Sequence, residues 1–163
     1  MMLSPPAPLG PEHDTSGFSC QHDSLSAWLE RRALANQAAG ASRTFVVCEG
    51  TRVVGFYSLA AASIEHRQAA SGLRRNMPDP IPAVLLARLA VDASFQKRGL
   101  GSDLLRDALL RSLRAAVDIG ARVMLCHAID ESACDFYARH GFRPSPVEPM
   151  LMMLDLNKVL ALL

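Results

Sequence analysis

The fold is decided by residues 95–110, "FQKRGLGSDLLRDALL", in which two glycines and two cations stand directly before a run with helical periodicity. Apolar residues then recur every three or four positions, with charged residues mostly opposite, so the sequence predicts a helix over residues 99–118. The predicted buried stripe consists of Leu100, Leu104, Leu105, Ala108, Leu109, Leu113, Ala116 and Val117. Residues 83–91 ("AVLLARLAV") are almost continuously apolar and predict a preceding strand buried on both faces.

The loop between this strand and helix has the composition of an anion site. The first turn of a helix carries unpaired N–H groups and the positive end of the helix dipole. Gly99 and Gly101 let a phosphate approach that backbone, and Lys97 and Arg98 add positive charge. The stretch therefore predicts a phosphate site, most naturally for a pyrophosphate, although an ordinary glycine-rich helix entry has the same composition.

The rest of the chain predicts one α/β unit, residues 1–163, behind a short proline-rich lead-in. Residues 24–39 have the periodicity of an amphipathic helix that ends at Gly40, and residues 43–64 read as a hairpin that turns at Gly50. Residues 67–82 are polar and predict a loop or a broken helix. Strands are predicted over 121–129 and 150–156, with a short helix over 130–142 between them.

Composition excludes several classes of protein. The chain has 163 residues and a net charge of +1, so it has no overall attraction to nucleic acid, and any such attraction must come from local clusters. The four cysteines are far apart with no C-x-x-C pair, which argues against a zinc site or a disulfide framework and favours a reducing cytoplasm. The N-terminal "MMLSPPAPLG" has no basic start and no continuous apolar core, so secretion is not expected. No run of 18 apolar residues occurs, so no membrane span is expected.

The spacing of the loop residues does not match two common phosphate-binding patterns. The loop contains neither G-x-x-x-x-G-K-[ST] nor G-x-G-x-x-G, and its pattern, Gln96-x-x-Gly99-x-Gly101, resembles the coenzyme A loop of the GCN5-related N-acetyltransferases (GNATs). The resemblance implies the GNAT acyltransferase fold, of the α/β class with a mixed central sheet flanked by helices, and acetyl-coenzyme A (acetyl-CoA) as cosubstrate with no metal. It assigns the pyrophosphate to Gln96, Lys97, Arg98, Gly99, Leu100, Gly101 and Ser102, and the pantetheine arm and thioester to the backbone of Leu89, Ala90 and Val91.

A second family pattern, A-x-x-F-Y-x-x-x-G-F, is matched by Ala133, Phe136, Tyr137, Gly141 and Phe142. By resemblance Tyr137 is the acid that protonates the departing thiolate, a role that a phenol with a reference pKa of about 10 performs at neutral pH. The alternative is a core tyrosine whose hydroxyl is hydrogen-bonded. The resemblance adds Ala133, Phe136 and Asp130 to the coenzyme A site, with Asp130 standing where many members have asparagine.

A general base is harder to find from the sequence. The apolar strand carries no carboxylate, and only Glu65 and His66 stand near the end of an earlier strand. A lysine amine, with a reference pKa of about 10.4, needs such a base more than an α-amine at about 7.7–8.0. The missing base therefore favours an α-amino substrate.

Residues 9–47 resemble a narrower group, the toxin acetyltransferases of toxin–antitoxin modules. The likeness lies in Phe18 and Cys20 before the Trp28-Leu29 helix, in "SRTFV" at residues 42–46, and in "ARLAVD" at residues 87–92. It implies acetylation of the α-amine on aminoacyl-tRNA, a block of translation, a ribbon-helix-helix antitoxin and a homodimer. Candidate tRNA contacts are Arg31, Arg32, Arg43, Arg67, Arg74 and Arg75, of which the last three fall in a segment without acidic residues from His66 to Met77. Solvated surface arginines are the alternative.

Other functions stay open at this point. An acetyltransferase of a small-molecule or protein amine would share the same loop, and so would a non-catalytic coenzyme A binding module with a regulatory role. A thiol enzyme that uses Cys126 or Cys134 is disfavoured, because neither cysteine has a recognisable activating partner.

Overall fold

A computed structural model describes residues 2–161 of the chain. The domain predicted over residues 1–163 therefore includes three residues, Met1, Leu162 and Leu163, that lie outside the described residues. The strands are β1 (Ala7–Pro8), β2 (Arg43–Glu49), β3 (Arg52–Ile64), β4 (Ile81–Val91), β5 (Val123–His127), β6 (Arg143–Pro144) and β7 (Leu151–Asp155). The helices are α1 (Asp23–Arg31), α2 (Ala33–Ala38), α3 (Leu100–Ile119), α4 (Glu131–Arg139) and α5 (Leu156–Ala161). Within residues 2–161 no helix has the length and apolar character needed to cross a membrane.

Hydrogen bonds join the strands into a mixed sheet in the order β1-β2-β3-β4-β5-β7-β6. β4 and β5 are parallel, whereas β1 with β2, β2 with β3, β5 with β7 and β6 with β7 are antiparallel. The predicted hairpin is confirmed, because β2 and β3 turn at Gly50, whose φ of +63° lies in the region that glycine tolerates best. The predicted α/β class is confirmed as well.

The described chain divides into two compact units, each with its own core. The first unit comprises residues 2–60 and 87–108, and the second comprises residues 61–86 and 109–161. The core of the first unit includes Leu9, Phe18, Leu29, Ala33, Val46, Val53, Phe56 and Ala90. The core of the second unit includes Ile64, Leu73, Ile81, Val123, Leu125, Leu151 and Met153.

Three element predictions need correction. The helix predicted over residues 24–39 is two helices, because Arg32 leaves helical geometry at φ −121° and ψ −27°. β4 begins at Ile81 and is not fully buried on both faces, since only Ile81, Ala83, Leu86 and Ala90 are buried and its other residues are half-buried. Val117, predicted to be buried, is 71% exposed, because α3 continues beyond Leu113, its last buried residue, and its final turn is not covered.

The end of β4 is fixed by Asp92, whose side chain is only 4% exposed. One carboxylate oxygen accepts the backbone N–H of Ser19 at 2.8 Å, and the other accepts Ser94 N–H and the Arg52 guanidinium, both at 3.0 Å. Burial alone raises the pKa of Asp92, but the hydrogen bond from the Ser94 hydroxyl, the two backbone N–H bonds and the charge of Arg52 hold it below its usual value. Asp92 therefore joins the N-terminal segment, β3 and the phosphate loop within the first unit.

Asp92→Asn is expected to lower the free energy of unfolding by about 1–3 kcal/mol, because a charged hydrogen-bond acceptor is lost while Arg52 stays in place. The contribution is present above the unfolded pKa of about 3.9 and is lost as the pH falls below it, so the difference from wild type should shrink in acid. Urea unfolding at pH 7 and pH 3.5 measures both effects. The exposed Asp118→Asn is the control, and equal midpoints for Asp92→Asn and wild type at pH 7 would contradict the assignment.

Candidate active site

The phosphate loop joins β4 to α3 with an unusual backbone. After one turn of 3-10 helix, Ala93–Phe95, the chain adopts positive φ at Lys97 (+63°) and Gly99 (+81°) and enters α3 at Leu100. A positive φ is cheap for glycine and costs a lysine roughly 1–2 kcal/mol. Such backbone strain is typically found at functional sites.

That backbone leaves four consecutive donors without a partner. The first helical hydrogen bond runs from Asp103 N–H to the Gly99 carbonyl at 3.1 Å. The N–H groups of Arg98, Gly99, Leu100 and Gly101 make no hydrogen bond to any residue that the structure describes. Four free N–H groups at the start of a 20-residue helix form an anion cradle that suits a pyrophosphate.

The predicted cations of the loop, Lys97 and Arg98, are exposed. The Arg98 guanidinium lies 5.0 Å from the centroid of the Phe95 ring. Neither side chain is ion-paired within the described residues. Both charges therefore remain available to an anion at the loop.

Strand β4 offers backbone groups beside the loop. Asp92 N–H bonds the Val54 carbonyl of β3 at 2.8 Å, and backbone groups alternate in direction along a strand. Leu89 and Val91 therefore direct their backbone groups away from β3, whereas Ala90 directs its groups toward β3 and has its side chain in the core. Of the three residues predicted to bind the pantetheine arm, Leu89 and Val91 have the suitable orientation.

Gln96, predicted to contact the pyrophosphate, has another partner. Its side-chain amide donates to the Val91 carbonyl at 3.1 Å and so ties the loop to the end of β4. Ser102, in the first turn of α3, also has a contact within the chain. The sequence pattern located these side chains but not these contacts.

Asp130 and Ala133 build the start of α4 in the second unit. Asp130 is the N-cap, and its carboxylate accepts the Ala133 N–H at 2.8 Å. A capping aspartate satisfies one of the unpaired donors at a helix start and typically contributes about 1 kcal/mol. Asp130 thus has a structural task that accounts for an acidic residue at this position.

Tyr137 lies on the buried face of α4 and is 7% exposed. Its ring packs edge-on against Phe136, with centroids 5.2 Å apart, and against Phe142 at 5.3 Å. No described residue hydrogen-bonds its hydroxyl, unlike the core tyrosine that the sequence left as the alternative. Burial, with a smaller contribution from Cys126, raises the pKa of Tyr137, so the phenol stays protonated well above neutral pH.

The two predicted candidates for a base are engaged elsewhere. The Glu65 carboxylate pairs with the Arg67 guanidinium at 2.7 Å. His66 Nε2 lies 2.8 Å from the Pro78 carbonyl and 3.1 Å from the Met77 carbonyl, so this nitrogen carries the proton and donates it. The charge of Glu65 is therefore offset by Arg67, and in this tautomer Nδ1 is the only ring nitrogen of His66 that could accept a proton.

The predicted tRNA contacts fall into two groups, one in each unit. Arg31, Arg32 and Arg43 in the first unit and Arg74 and Arg75 in the second are exposed. Among contacts to described residues, only Arg32 has a side-chain hydrogen bond, to Asn36 at 3.2 Å. Arg67 differs because its pairing with Glu65 raises its pKa and offsets its charge. The segment from His66 to Met77 contains no acidic residue, but Glu65 directly before it pairs with one of its arginines.

The cysteines have the properties of structural residues. Burial raises the pKa of Cys126 far above its usual value and also raises that of Cys134, so neither is an activated thiolate. Across residues 2–161, no three His, Cys, Asp or Glu side chains come together as metal ligands.

Comparison with known proteins gives the site its context. Residues 40–144 match the acetyltransferase (GNAT) domain family. The chain is 48% identical over 160 residues to a tRNA-acetylating toxin of Mycobacterium tuberculosis strain H37Rv, covering 98% of this chain and 96% of that protein.

Two solved structures show the same fold. AtaT complexed with acetyl-methionyl-tRNAfMet superposes with a TM-score of 0.91 at 22% identity and covers 99% of both chains. A tyrosine-to-phenylalanine mutant of AtaT, bound to acetyl-CoA and the C-terminus of the antitoxin AtaR, gives 0.85 at 24% identity over 99% of this chain and 98% of that chain.

Proposed function

Because the chain belongs to the acetyltransferase (GNAT) family, we propose that it transfers the acetyl group of acetyl-CoA to the α-amino group of an aminoacyl-tRNA. An acetylated α-amine cannot serve as a nucleophile in peptide bond formation, so the protein acts as a toxin that blocks translation. The observation that carries this proposal is the 48% identity to a tRNA-acetylating toxin over 98% of the chain.

The loop and strand of the first unit fit acetyl-CoA. The free N–H groups of residues 98–101, with Lys97 and Arg98, bind the pyrophosphate. The backbone of Leu89 and Val91 holds the pantetheine arm in the manner of an added strand. Bound acetyl-CoA supplies an acetyl thioester, which the amine attacks as the thiolate leaves.

Tyr137 is the proton donor in this reaction. Its protonated hydroxyl has no other hydrogen-bond acceptor among the described residues and can therefore donate to the sulfur as negative charge develops there. A phenol with a raised pKa is a weak acid, so the hydrogen bond to the developing thiolate contributes more than early proton transfer.

The acceptor needs little help from a base. An α-amine has a reference pKa of about 7.7–8.0 and is partly neutral at physiological pH. The Glu65 carboxylate is paired with Arg67, which favours such an acceptor over a lysine side chain. The exposed arginines in both units supply charge for the RNA phosphates.

The partners and location form the remaining part of the proposal. The protein acts in the cytoplasm as a homodimer and is restrained by a ribbon-helix-helix antitoxin. AtaT, which has the same fold, was solved with the C-terminus of its antitoxin.

The test is transfer of labelled acetyl from acetyl-CoA to a pool of charged tRNAs, run beside free amino acids and a mixture of proteins. We expect label on the α-amine of one or a few charged tRNAs. Label only on free amines or proteins would overturn the tRNA substrate and leave a GNAT of another specificity. Binding of acetyl-CoA without transfer to any acceptor would instead indicate a regulatory module.

A further inference from the structure

Arg88 of β4 packs against an aromatic cluster in the first unit. Its guanidinium carbon lies 4.0 Å from the centroid of the Trp28 ring of α1. Trp28 is also stacked on Phe56, with centroids 6.2 Å apart and planes 14° apart. The guanidinium therefore makes a cation–π contact with Trp28, and this contact leaves its N–H edge free to bind an anion.

That edge has no acceptor within residues 2–161. Arg52 and Arg122, which are also only partly exposed, each bind a carboxylate, at 3.0 Å and 2.9 Å respectively. Burial lowers the pKa of Arg88 from its usual value, and no neighbouring charge offsets this effect. A half-buried guanidinium is stabilised when an anion pairs with it, and its planar fork matches a phosphate or a carboxylate.

The position of Arg88 on β4 indicates which anion it could bind. The loop at residues 98–101 already provides a site for the pyrophosphate, and the pantetheine arm runs from there along Val91 and Leu89. Arg88 lies roughly 10 Å along the strand from Val91, at the thioester end. An anion at this end belongs to the acceptor.

We propose that Arg88, stacked on Trp28, binds a backbone phosphate at the acceptor end of the charged tRNA. The inference rests on the proposed function and adds a positioning residue to it. In aminoacyl-tRNA the α-carboxylate is esterified, so the phosphodiesters are the anions common to every charged tRNA. A side-chain carboxylate of the attached amino acid is the other anion that the fork could take.

The test compares Arg88→Gln, which removes the charge, with Arg88→Lys, which keeps the charge and loses the fork. Arg114→Gln, an exposed arginine on α3, is the matched control. For Arg88→Gln we expect the KM for charged tRNA to rise about tenfold while the KM for acetyl-CoA stays within about twofold. Arg88→Lys should lie between this variant and wild type, and Arg114→Gln should match wild type.

Binding of deacylated tRNA separates the possible outcomes, since it requires neither transfer nor an amino acid. Arg88→Gln should bind more weakly, with a dependence of log K on log salt that is shallower by about 0.7. Unchanged binding and slope would overturn the phosphate contact, as would a parallel rise in the KM for acetyl-CoA. If wild type does not acetylate charged tRNA, the proposed function fails, and this binding experiment still decides whether Arg88 contacts RNA phosphate.

Discussion

Tyr137→Phe is expected to slow acetyl transfer by about 10²–10⁴-fold, which is the usual contribution of a positioned proton donor or acceptor. The phenylalanine ring retains the contacts with Phe136 and Phe142. The lost hydroxyl has no partner among the described residues, so its removal leaves no buried group unsatisfied. The loss should therefore appear in kcat, with the KM for acetyl-CoA and the unfolding midpoint close to wild type.

The other tyrosine of the chain is a matched control. Tyr57 is fully buried, and its hydroxyl donates to the Asp107 carboxylate. Tyr57→Phe should lower the stability and leave the transfer rate of the folded protein unchanged. A transfer rate for Tyr137→Phe within about threefold of wild type would remove the acid role, because a donor effect is at least tenfold larger.

Gly99→Val is expected to raise the KM for acetyl-CoA by about 100-fold. Gly99 has a φ of +81°, which a β-branched residue adopts only under strain, and its N–H is among the four unpaired groups of the loop. A backbone that relaxes to negative φ turns those donors away from the pyrophosphate. Steady-state kinetics with varied acetyl-CoA, supported by calorimetric titration, measure this effect.

Gly40→Val separates backbone strain from the effect on the ligand. Gly40 ends α2 with a φ of +80°, and, as at Gly99, an added Cβ would meet nothing within 4 Å. The two variants should lose similar amounts of stability, whereas only Gly99→Val should weaken acetyl-CoA. Equal KM values for the two variants would contradict the phosphate assignment of the loop.

The parts of the fold that could be predicted from sequence are those that depend on local chemistry. The glycines of the phosphate loop mark the start of α3, and Gly50 marks the turn between β2 and β3. Both features depend on backbone conformations that few other residues adopt, so the residue type itself is informative. The likeness to known acetyltransferases added the fold and the coenzyme to this local reading.

The remaining features depend on contacts between distant segments. Arg88 stands in an apolar strand, and its stacking on Trp28 comes from a residue 60 positions earlier in the chain. Glu65 and Arg67 are only two positions apart in the sequence, but their pairing depends on the direction of their side chains at the 3-10 turn His66–Gln68. Periodicity carries no information about such side-chain partners.

The Gln96 amide has a mechanical consequence for the proposed enzyme. Its hydrogen bond to the Val91 carbonyl links the phosphate loop to the end of β4. In the proposed binding mode, the distance between the phosphate loop and the strand determines how far the pantetheine arm reaches along β4. We therefore expect a coenzyme A analogue whose arm is longer or shorter by a methylene to be a poorer acetyl donor.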